Sequence, residues 1–385
     1  MQRKLRMAMI GGGRGSFIGA VHRMAAALDG QIELVAGAFS SDPAVSVGTG
    51  QDLFLDPGRV YPDYSTLIEK EAALPVGKRI DIVAIVTPNH LHSAPAIMAF
   101  EKGFDVVLEK PMAFSLQEAR AIEQKRIQTG RELLLCHTYT GYPMVKEARA
   151  RIAAGALGTI RKIYGEYPQG WLHSFLEGSQ HKQASWRTDP QRSGAAGAMG
   201  DIGTHIFNLI EYVSGLQVTK LCADLHTVVP QRKLDDDGAA FLRFNNGASG
   251  VLLATQVAAG EENKICIRIY GDKGGLEWHQ QEANSLLLKW PDRPAEIVRT
   301  GTNYVSAMAS HNTRVPAGHP EGYLEAFANL YRNFSLTLRA KANGQVPAAA
   351  VVDYPGTTEG VRGMAFIEAM IASSASSQKW IDLSV

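Results

Sequence analysis

Cysteine is scarce. Three thiols, Cys136, Cys222 and Cys266, are scattered through 385 residues without a C-x-x-C pair. That odd, dispersed set argues against a disulfide framework and a cysteine zinc site, and it fits a reducing cytoplasm. Charge of one sign is missing too: 39 Lys plus Arg stand against 38 Asp plus Glu, a formal charge of +1. No global field draws such a chain onto nucleic acid or an anionic membrane. No apolar run approaches the roughly 18 residues of a membrane helix. The strongest, Ile80 to Val86, is strand-sized. The start MQRKLRMAMIGGGRG is basic but has too few apolar residues before its glycines for a signal peptide. Repeats and low-complexity segments are also absent. What is there is 45% hydrophobic residues, enough for a sizeable core, in a length that at roughly 150 residues per domain predicts two domains or at most three.

The first part alternates two kinds of pattern. Leu5 to Ile10, Ile32 to Phe39, Ile80 to Val86, Phe104 to Leu108 and Glu132 to His137 are apolar and mostly branched, as buried parallel strands are. Gly19 to Leu28, Tyr64 to Ala73, Ala94 to Lys102 and Ser115 to Thr129 have helical composition, the last opened by a Ser115/Glu118 capping box. This alternation predicts an α/β fold with a doubly wound parallel sheet over residues 1–137. Residues 138–385 read differently. Helical patterns at Met144 to Ala154 and Asp201 to Ser214 are followed by strands in series, Ala239 to Phe244, Ala248 to Thr255 and Lys264 to Tyr270, with hairpin signals at Asn245-Asn246-Gly247 and Gly271 to Gly274. An α+β domain with an open, mostly antiparallel sheet is expected. Residues 291–320 read as one long loop, and helices at Tyr323 to Ala340 and Gly360 to Ala372 close the chain.

Three places carry the residue types of a site. The first strand enters Gly11-Gly12-Gly13-Arg14-Gly15-Ser16-Phe17-Ile18-Gly19, where glycines let the backbone turn tightly against a pyrophosphate held by a helix N-terminus. The spacing departs from G-x-G-x-x-G: Gly11 and Gly13 fit, Ser16 takes the third place and Gly19 comes three residues late. The second strand ends in Ser40 and Ser41 rather than in an acid, so ribose or ribose phosphate, NAD or NADP, are both open. At the ends of two later strands stand Thr87-Pro88-Asn89-His90-Leu91-His92 and Glu109-Lys110-Pro111, where ligands bind in such sheets. No third ligand with suggestive spacing accompanies the histidines, so no metal is expected. Further on, Asp201 and His205 lie four apart, on one face if helical, and a carboxylate beside an imidazole suits a base that takes a hydroxyl proton.

Together E-K-P, the Thr87-Pro88-Asn89 turn, Trp186-Arg187, Asp201-x-Gly203-x-His205 and the Gly271-Asp272-Lys273-Gly274 turn resemble the Gfo/Idh/MocA family of NAD(P)-dependent sugar and cyclitol oxidoreductases over nearly the whole chain. The resemblance implies a Rossmann domain at residues 1–137 and a substrate-binding and oligomerisation domain at 138–385. It implies Lys110, Asp201 and His205 as the catalytic group, with the lysine-proline peptide often cis. The expected cofactor contacts are Gly11, Gly13, Ser16, Phe17, Ile18, Ser40, Ser41, Thr87, Asn89, His92, Glu109, Lys110, Trp186 and Arg187. Substrate contacts are expected at Lys110, Tyr139, Gln169, Asp201, His205 and His319, since phenol rings and amides suit sugar faces and hydroxyls.

The expected reaction moves a hydride between a secondary alcohol of a sugar, glycoside or cyclitol and NAD or NADP. His205 serves as base, Lys110 stabilises alkoxide charge and Asp201 orients the sugar or the imidazole. Two alternatives share these residues: a redox-cycling lyase or glycosidase that retains its NAD, and a nucleotide-sensing protein without catalysis. Strands such as Gly250 to Gln256, apolar on both parities, predict a homodimer or homotetramer formed through the second sheet.

Overall fold

The computed structural model describes residues 3–179 and 181–384. By internal contacts the chain forms two compact units, Met1–Thr138 with Phe327–Val361 and Tyr139–Ala326 with Arg362–Val385.

In the first unit the elements run β1 (Leu5–Gly11), α1 (Phe17–Leu28), β2 (Ile32–Ala38), α2 (Pro43–Asp52), α3 (Tyr64–Ala73), β3 (Ile82–Val86), α4 (Ser93–Glu101), β4 (Asp105–Leu108), α5 (Leu116–Thr129) and β5 (Leu133–Leu135). All five strands are parallel, in the order β2-β1-β3-β4-β5. The central strand β3 is buried along its whole length, the mark of a sheet covered on both faces. Helix starts are set by short polar side chains: Asp63 accepts from the Thr66 N–H and Ser115 from the Glu118 N–H, while Gly130 ends α5 in the left-handed conformation. Chain order reverses between β1 and β3, so the crevice of a doubly wound sheet opens at their carboxyl ends.

Helix α2 escapes the composition reading because Gly48 and Gly50 interrupt it. Both have packing reasons: a Cβ on Gly48 would lie 2.4 Å from the Arg14 guanidinium, and one on Gly50 2.4 Å from Val60. Asp42 caps the helix and Pro43 occupies its first turn.

The second unit contains α6 (Pro143–Ala153), β6 (Ile160–Pro168), α7 (Lys182–Arg187), α8 (Pro190–Ser193), a π-helical turn at Met199–Gly203, α9 (Thr204–Ser214), β7 (Val218–His226), β8 (Asp237–Phe244), β9 (Ser249–Thr255), β10 (Cys266–Gly271), β11 (Gly275–His279), β12 (Ser285–Lys289), β13 (Glu296–Arg299) and α10 (Ala307–His311). The chain continues through α11 (Tyr323–Ala342) and α12 (Thr357–Ala375) to β14 (Trp380–Asp382). Nine strands form one sheet, β13-β12-β11-β10-β6-β9-β8-β7-β14. Every neighbouring pair is antiparallel except β6 and β9. The stretch 291–320 is therefore not one loop: it holds β13, an edge strand with one buried residue, and the short α10. An edge strand that is charged and mostly exposed leaves no alternating pattern to read.

One face of this sheet carries α9. Gly165 of β6 makes room for it, since a Cβ there would lie 2.7 Å from both Ile206 and Ile210. Across the other face, register aligns Trp380, Cys222, Phe241, Val251, Tyr164 and Arg268 from six adjacent strands. Phe241 is 58% and Trp380 39% exposed there.

Helix α1 packs backbone to backbone against the turn that leaves β1. A Cβ on Gly19 would lie 2.4 Å from the Gly12 Cα. Gly19→Ala is expected to lower the unfolding free energy by about 1–3 kcal/mol through overpacking. Gly363 in α12 has nothing within 4 Å of such a Cβ, so Gly363→Ala is expected to raise it by roughly 0.5–1 kcal/mol. Urea unfolding of both variants checks the pair of signs.

Candidate active site

The glycine loop of the first unit is a cradle that side chains would fill. Gly11 and Gly12 adopt positive φ angles of 81° and 73°, and a Cβ on Gly11 would lie 3.0 Å from the Thr87 methyl and the Val86 carbonyl. Gly13 and Arg14 spend their N–H groups inside the protein, on the Phe39 carbonyl at 3.2 Å and the Thr49 hydroxyl at 3.1 Å. The anion-attracting element is thus the start of α1, at Phe17 and Ile18, with Ser16 as its cap. Gly19, three residues later than the usual spacing, performs the packing role of the third glycine against Gly12. These features fit a dinucleotide pyrophosphate.

At the end of β2 the Ser40 hydroxyl accepts the Asp42 N–H at 3.1 Å, Ser41 is exposed, and the Asp42 carboxylate is occupied capping α2. In the next turn the Thr87 hydroxyl donates to the Leu91 carbonyl at 3.3 Å, Asn89 is buried and His90 exposed. His92 is turned inward. Its ring is fully buried, with Nδ1 3.0 Å from the Pro111 carbonyl and Nε2 2.9 Å from the Thr87 carbonyl. Burial holds its pKa below the ordinary histidine value. The structure places this ring as a brace between the Thr87 turn and the E-K-P turn, behind the crevice.

Glu109-Lys110-Pro111 follows β4, and the Lys110–Pro111 peptide is cis. Glu109 donates its N–H to the Ile85 carbonyl at 3.1 Å and accepts the Lys110 N–H on its own carboxylate at 3.2 Å. His137, just past β5, is buried close to Lys110. Burial, reinforced by the Lys110 ammonium, lowers its pKa to about 3.

The second unit holds a continuous polar network. Because β6 and β9 are parallel and in register from Lys162↔Ser249 to Pro168↔Thr255, Gln169 and Gln256 leave the sheet side by side. Gln256 donates to the Asp201 carboxylate at 2.9 Å and lies 3.5 Å from the Gln169 carbonyl oxygen. Gln169 in turn donates to the Asn263 oxygen at 2.6 Å and accepts from the Trp171 indole at 3.1 Å. Tyr167 donates to Asn263 at 2.7 Å, Asn263 donates to Tyr139 at 3.1 Å, and the two phenols share a hydrogen bond. Asp201 also pairs with Arg187 at 3.3 Å, whose guanidinium lies 4.3 Å over the Trp186 ring. Burial raises the pKa of Tyr139 and Tyr167, so both phenols keep their protons near neutrality.

Asp201 sits in the π-helical turn that leads into α9, and His205 is the second residue of that helix. Such a turn is wider than α-helix and recurs at functional sites. His205 is buried, and its ring lies edge-on to Tyr139 with centroids 5.0 Å apart. Of the expected substrate contacts in this unit, the network thus gathers Tyr139, Gln169, Asp201 and His205. Trp186 and Arg187, expected at the cofactor, lie beside Asp201. His319 is exposed in the loop before α11, where its Nδ1 faces the Pro316 carbonyl at 3.2 Å, and it has no part in the network. Gln256, Asn263 and Gln280, which accepts from Asn263 at 3.4 Å, are additions that no motif announces. Gln256 and Gln280 are amides just beyond a strand end, and Asn263 lies in the loop before β10.

Among the described residues, one group could bring metal-ligand atoms together: His22, Glu109 and Cys136, all mutually within 4.8 Å. Its imidazole-carboxylate separation of 2.7 Å is that of a hydrogen bond. Ligands on a tetrahedral zinc at 2.0–2.1 Å stand roughly 3.3 Å apart.

A parallel sheet with a glycine cradle at its switch point, joined in one chain to a sheet-borne polar network, defines a dinucleotide-dependent oxidoreductase. The chain belongs to the Gfo/Idh/MocA family: residues 5–137 match the oxidoreductase family with NAD-binding Rossmann fold, and residues 145–277 the GFO/IDH/MocA C-terminal domain. It is 30% identical over 386 residues, 99% of this chain and 98% of the relative, to the uncharacterized oxidoreductase YfiI of Bacillus subtilis (strain 168). The crystal structure of an inositol dehydrogenase homolog from Azotobacter vinelandii complexed with NAD+ is similar with a TM-score of 0.94 and 35% identity, covering 99% of this chain and 98% of that one. Levoglucosan dehydrogenase of Pseudarthrobacter phenanthrenivorans (strain DSM 18606 / JCM 16027 / LMG 23796 / Sphe3) is 28% identical over 327 residues, 79% of this chain and 80% of its own.

The depressed pKa of His137 has a signed consequence. The unfolded chain takes up that proton near pH 6.5 and the folded one only near 3, so stability from this group is complete above about pH 6.5 and declines on acidification. Between pH 6.5 and pH 5 the loss is roughly 2 kcal/mol. His137→Gln is expected to flatten the decline by that amount, read from urea unfolding at the two pH values.

Proposed function

We propose that this protein is an NAD(P)-dependent dehydrogenase that oxidises a secondary alcohol of a sugar, glycoside or cyclitol, with Lys110, Asp201 and His205 as its reacting groups. The observation that carries the reading is the network around Asp201. Carboxylate, four amides, two phenols and an indole N–H in one connected set are the donors and acceptors that a polyhydroxylated ring needs, each ordered by a protein partner. The similarity to an inositol dehydrogenase homolog and to levoglucosan dehydrogenase supports the same substrate class.

An alcohol surrenders a hydride only as its hydroxyl proton leaves, which calls for a base and for positive charge where the alkoxide develops. His205 takes the proton. Lys110 hydrogen-bonds the same oxygen, and Asp201, held by Arg187 and Gln256, fixes neighbouring hydroxyls. Gly11 and Gly13 let the backbone pass close to the pyrophosphate, Phe17 and Ile18 hold it, and Ser40 and Ser41 hold the adenine ribose, with or without its phosphate. When bound, the nicotinamide supplies the hydride acceptor. Residues 1–137 serve the dinucleotide and 138–385 the substrate and assembly. Three free thiols suit a cytoplasmic setting.

Lys110→Ala is expected to lower kcat by about 10² to 10³ while NADH binding, followed by fluorescence, is kept. Near wild-type turnover in that variant would refute the assignment. A screen of sugars, glycosides and inositols with NAD and NADP at 340 nm is expected to show stoichiometric NADH or NADPH. Product formed without any absorbance change would replace the dehydrogenase by a redox-cycling lyase.

The row Trp380, Phe241, Val251 and Tyr164, exposed at Trp380 and Phe241 and half-buried at the other two, supports pairing of sheet faces into a homodimer or homotetramer. Sedimentation at micromolar concentration is expected to show the oligomer for the wild type and dissociation for Phe241→Lys. A wild-type monomer would contradict it.

A further inference from the structure

Helix α1 buries a histidine that no cofactor motif accounts for. His22 is fully buried, and both ring nitrogens have close partners: Nδ1 lies 2.6 Å from the Tyr331 hydroxyl of α11 and Nε2 2.7 Å from the Glu109 carboxylate. The direction of the hydrogens follows from the end groups. An ionised carboxylate only accepts, so Nε2 carries the hydrogen. In the neutral ring Nδ1 is then an acceptor, filled by the Tyr331 O–H. The second oxygen of Glu109 accepts the Lys110 N–H at 3.2 Å. The result is one chain with one polarity, Tyr331 to His22 to Glu109, in which the neutral imidazole satisfies both neighbours.

We propose that His22 and Tyr331 are positioning residues that hold the Glu109 carboxylate ionised and fixed beside Lys110. This rests on the dehydrogenase reading, in which Lys110 bonds the reacting oxygen. The chain is a clamp and not a proton wire. Its far end, Tyr331, is 1% exposed, and burial raises that phenol's pKa well above the ordinary value, so a proton entering there has no exit. Burial alone would push Glu109 up, yet the His22 hydrogen bond, with the Lys110 ammonium, holds it below the ordinary glutamate value. The groups facing Glu109 are His22 from α1, His92 ahead of α4, Lys110 on its own turn, Cys136 and His137 after β5, and Tyr331 from α11. Of these, His22 is hydrogen-bonded to the carboxylate through its ring Nε2. Cys136, whose thiol burial pushes well up, contributes no charge.

Loss of the clamp has a definite sign. Without the Nε2 donor, desolvation dominates and Glu109 protonates at higher pH. The experiment compares His22→Leu, His22→Gln, Tyr331→Phe and Lys110→Ala, using the alcohol most active in the 340 nm screen at saturating NAD. His22→Leu is expected to lose at least tenfold in kcat at pH 6, to move the acid limb of its kcat profile to higher pH, and to keep its NADH dissociation constant within about threefold. His22→Gln, whose amide N–H replaces Nε2–H, is expected to recover most of the loss and restore the limb. Should His22→Leu fail to fold, Tyr331→Phe is expected to move the limb in the same direction by a smaller amount. Independently of turnover, 15N-histidine NMR at pH 7.5 is expected to show His22 as the Nε2–H tautomer, and Glu109→Gln to alter that signal. An acid limb unmoved in the folded variants, or an Nδ1–H tautomer in the wild type, overturns the clamp. So does stoichiometric zinc released on denaturation, because an ion would have displaced the Nε2 proton. If Lys110→Ala stays active, the dehydrogenase reading has failed. If it is inactive while His22→Leu keeps the wild-type profile, only the clamp has.

Discussion

Parallel pairing is the constraint on which the polar features of both units depend. Two parallel strands end at the same edge, so whatever follows them emerges together without any sequence proximity. In the first unit β1 and β3 bring Gly11 and Thr87 into contact across the switch point. In the second unit the single parallel pair, β6 with β9, does the same for Gln169 and Gln256. The antiparallel majority of that sheet serves as frame, and its one exception carries the polar chemistry. A sheet that was antiparallel throughout would send these two amides to opposite edges.

The polar groups of the network around Asp201 then follow a common rule: each is ordered by a partner before any ligand arrives. Tyr139, Tyr167 and Asn263 close a ring of hydrogen bonds. A half-satisfied network would be worse than an apolar wall. A complete one also fixes donor directions, so a hydroxylated ligand meets a set pattern rather than adaptable side chains.

What could be read from the sequence, and what could not, divides along the range of the interactions. The five parallel strands and α1, α3, α4 and α5 announce themselves because burial on both faces or a capping side chain acts within a few residues. Helix α2 does not, since its glycines answer to Arg14 and Val60, outside the helix itself. The strand-end motifs were equally visible, but a motif does not tell which way a side chain turns. His92 reads as a ligand contact, and its ring is turned inward between the Thr87 and Pro111 carbonyls. Gln256 and Asn263 were out of reach for a further reason: their partners are set by strand register across nearly a hundred residues, and period-2 patterning defines a strand's faces without naming its neighbour.

The position of Glu109 shows how the same rule acts on charge. A carboxylate placed in the interior is costly unless each oxygen is met by a donor. Here one oxygen is met by the backbone that follows it and the other by a histidine from the helix that opens the dinucleotide motif. Helix α1 thereby has two separate duties. Its N-terminus faces the crevice, and one and a half turns later its buried face steadies the turn that carries Lys110. Gly19 lies between them and lets the helix approach β1 closely enough for both. The late glycine, which looks like a departure from the usual spacing, is therefore tied to the reach of His22: moving the close contact along the helix would rotate or withdraw the imidazole from Glu109.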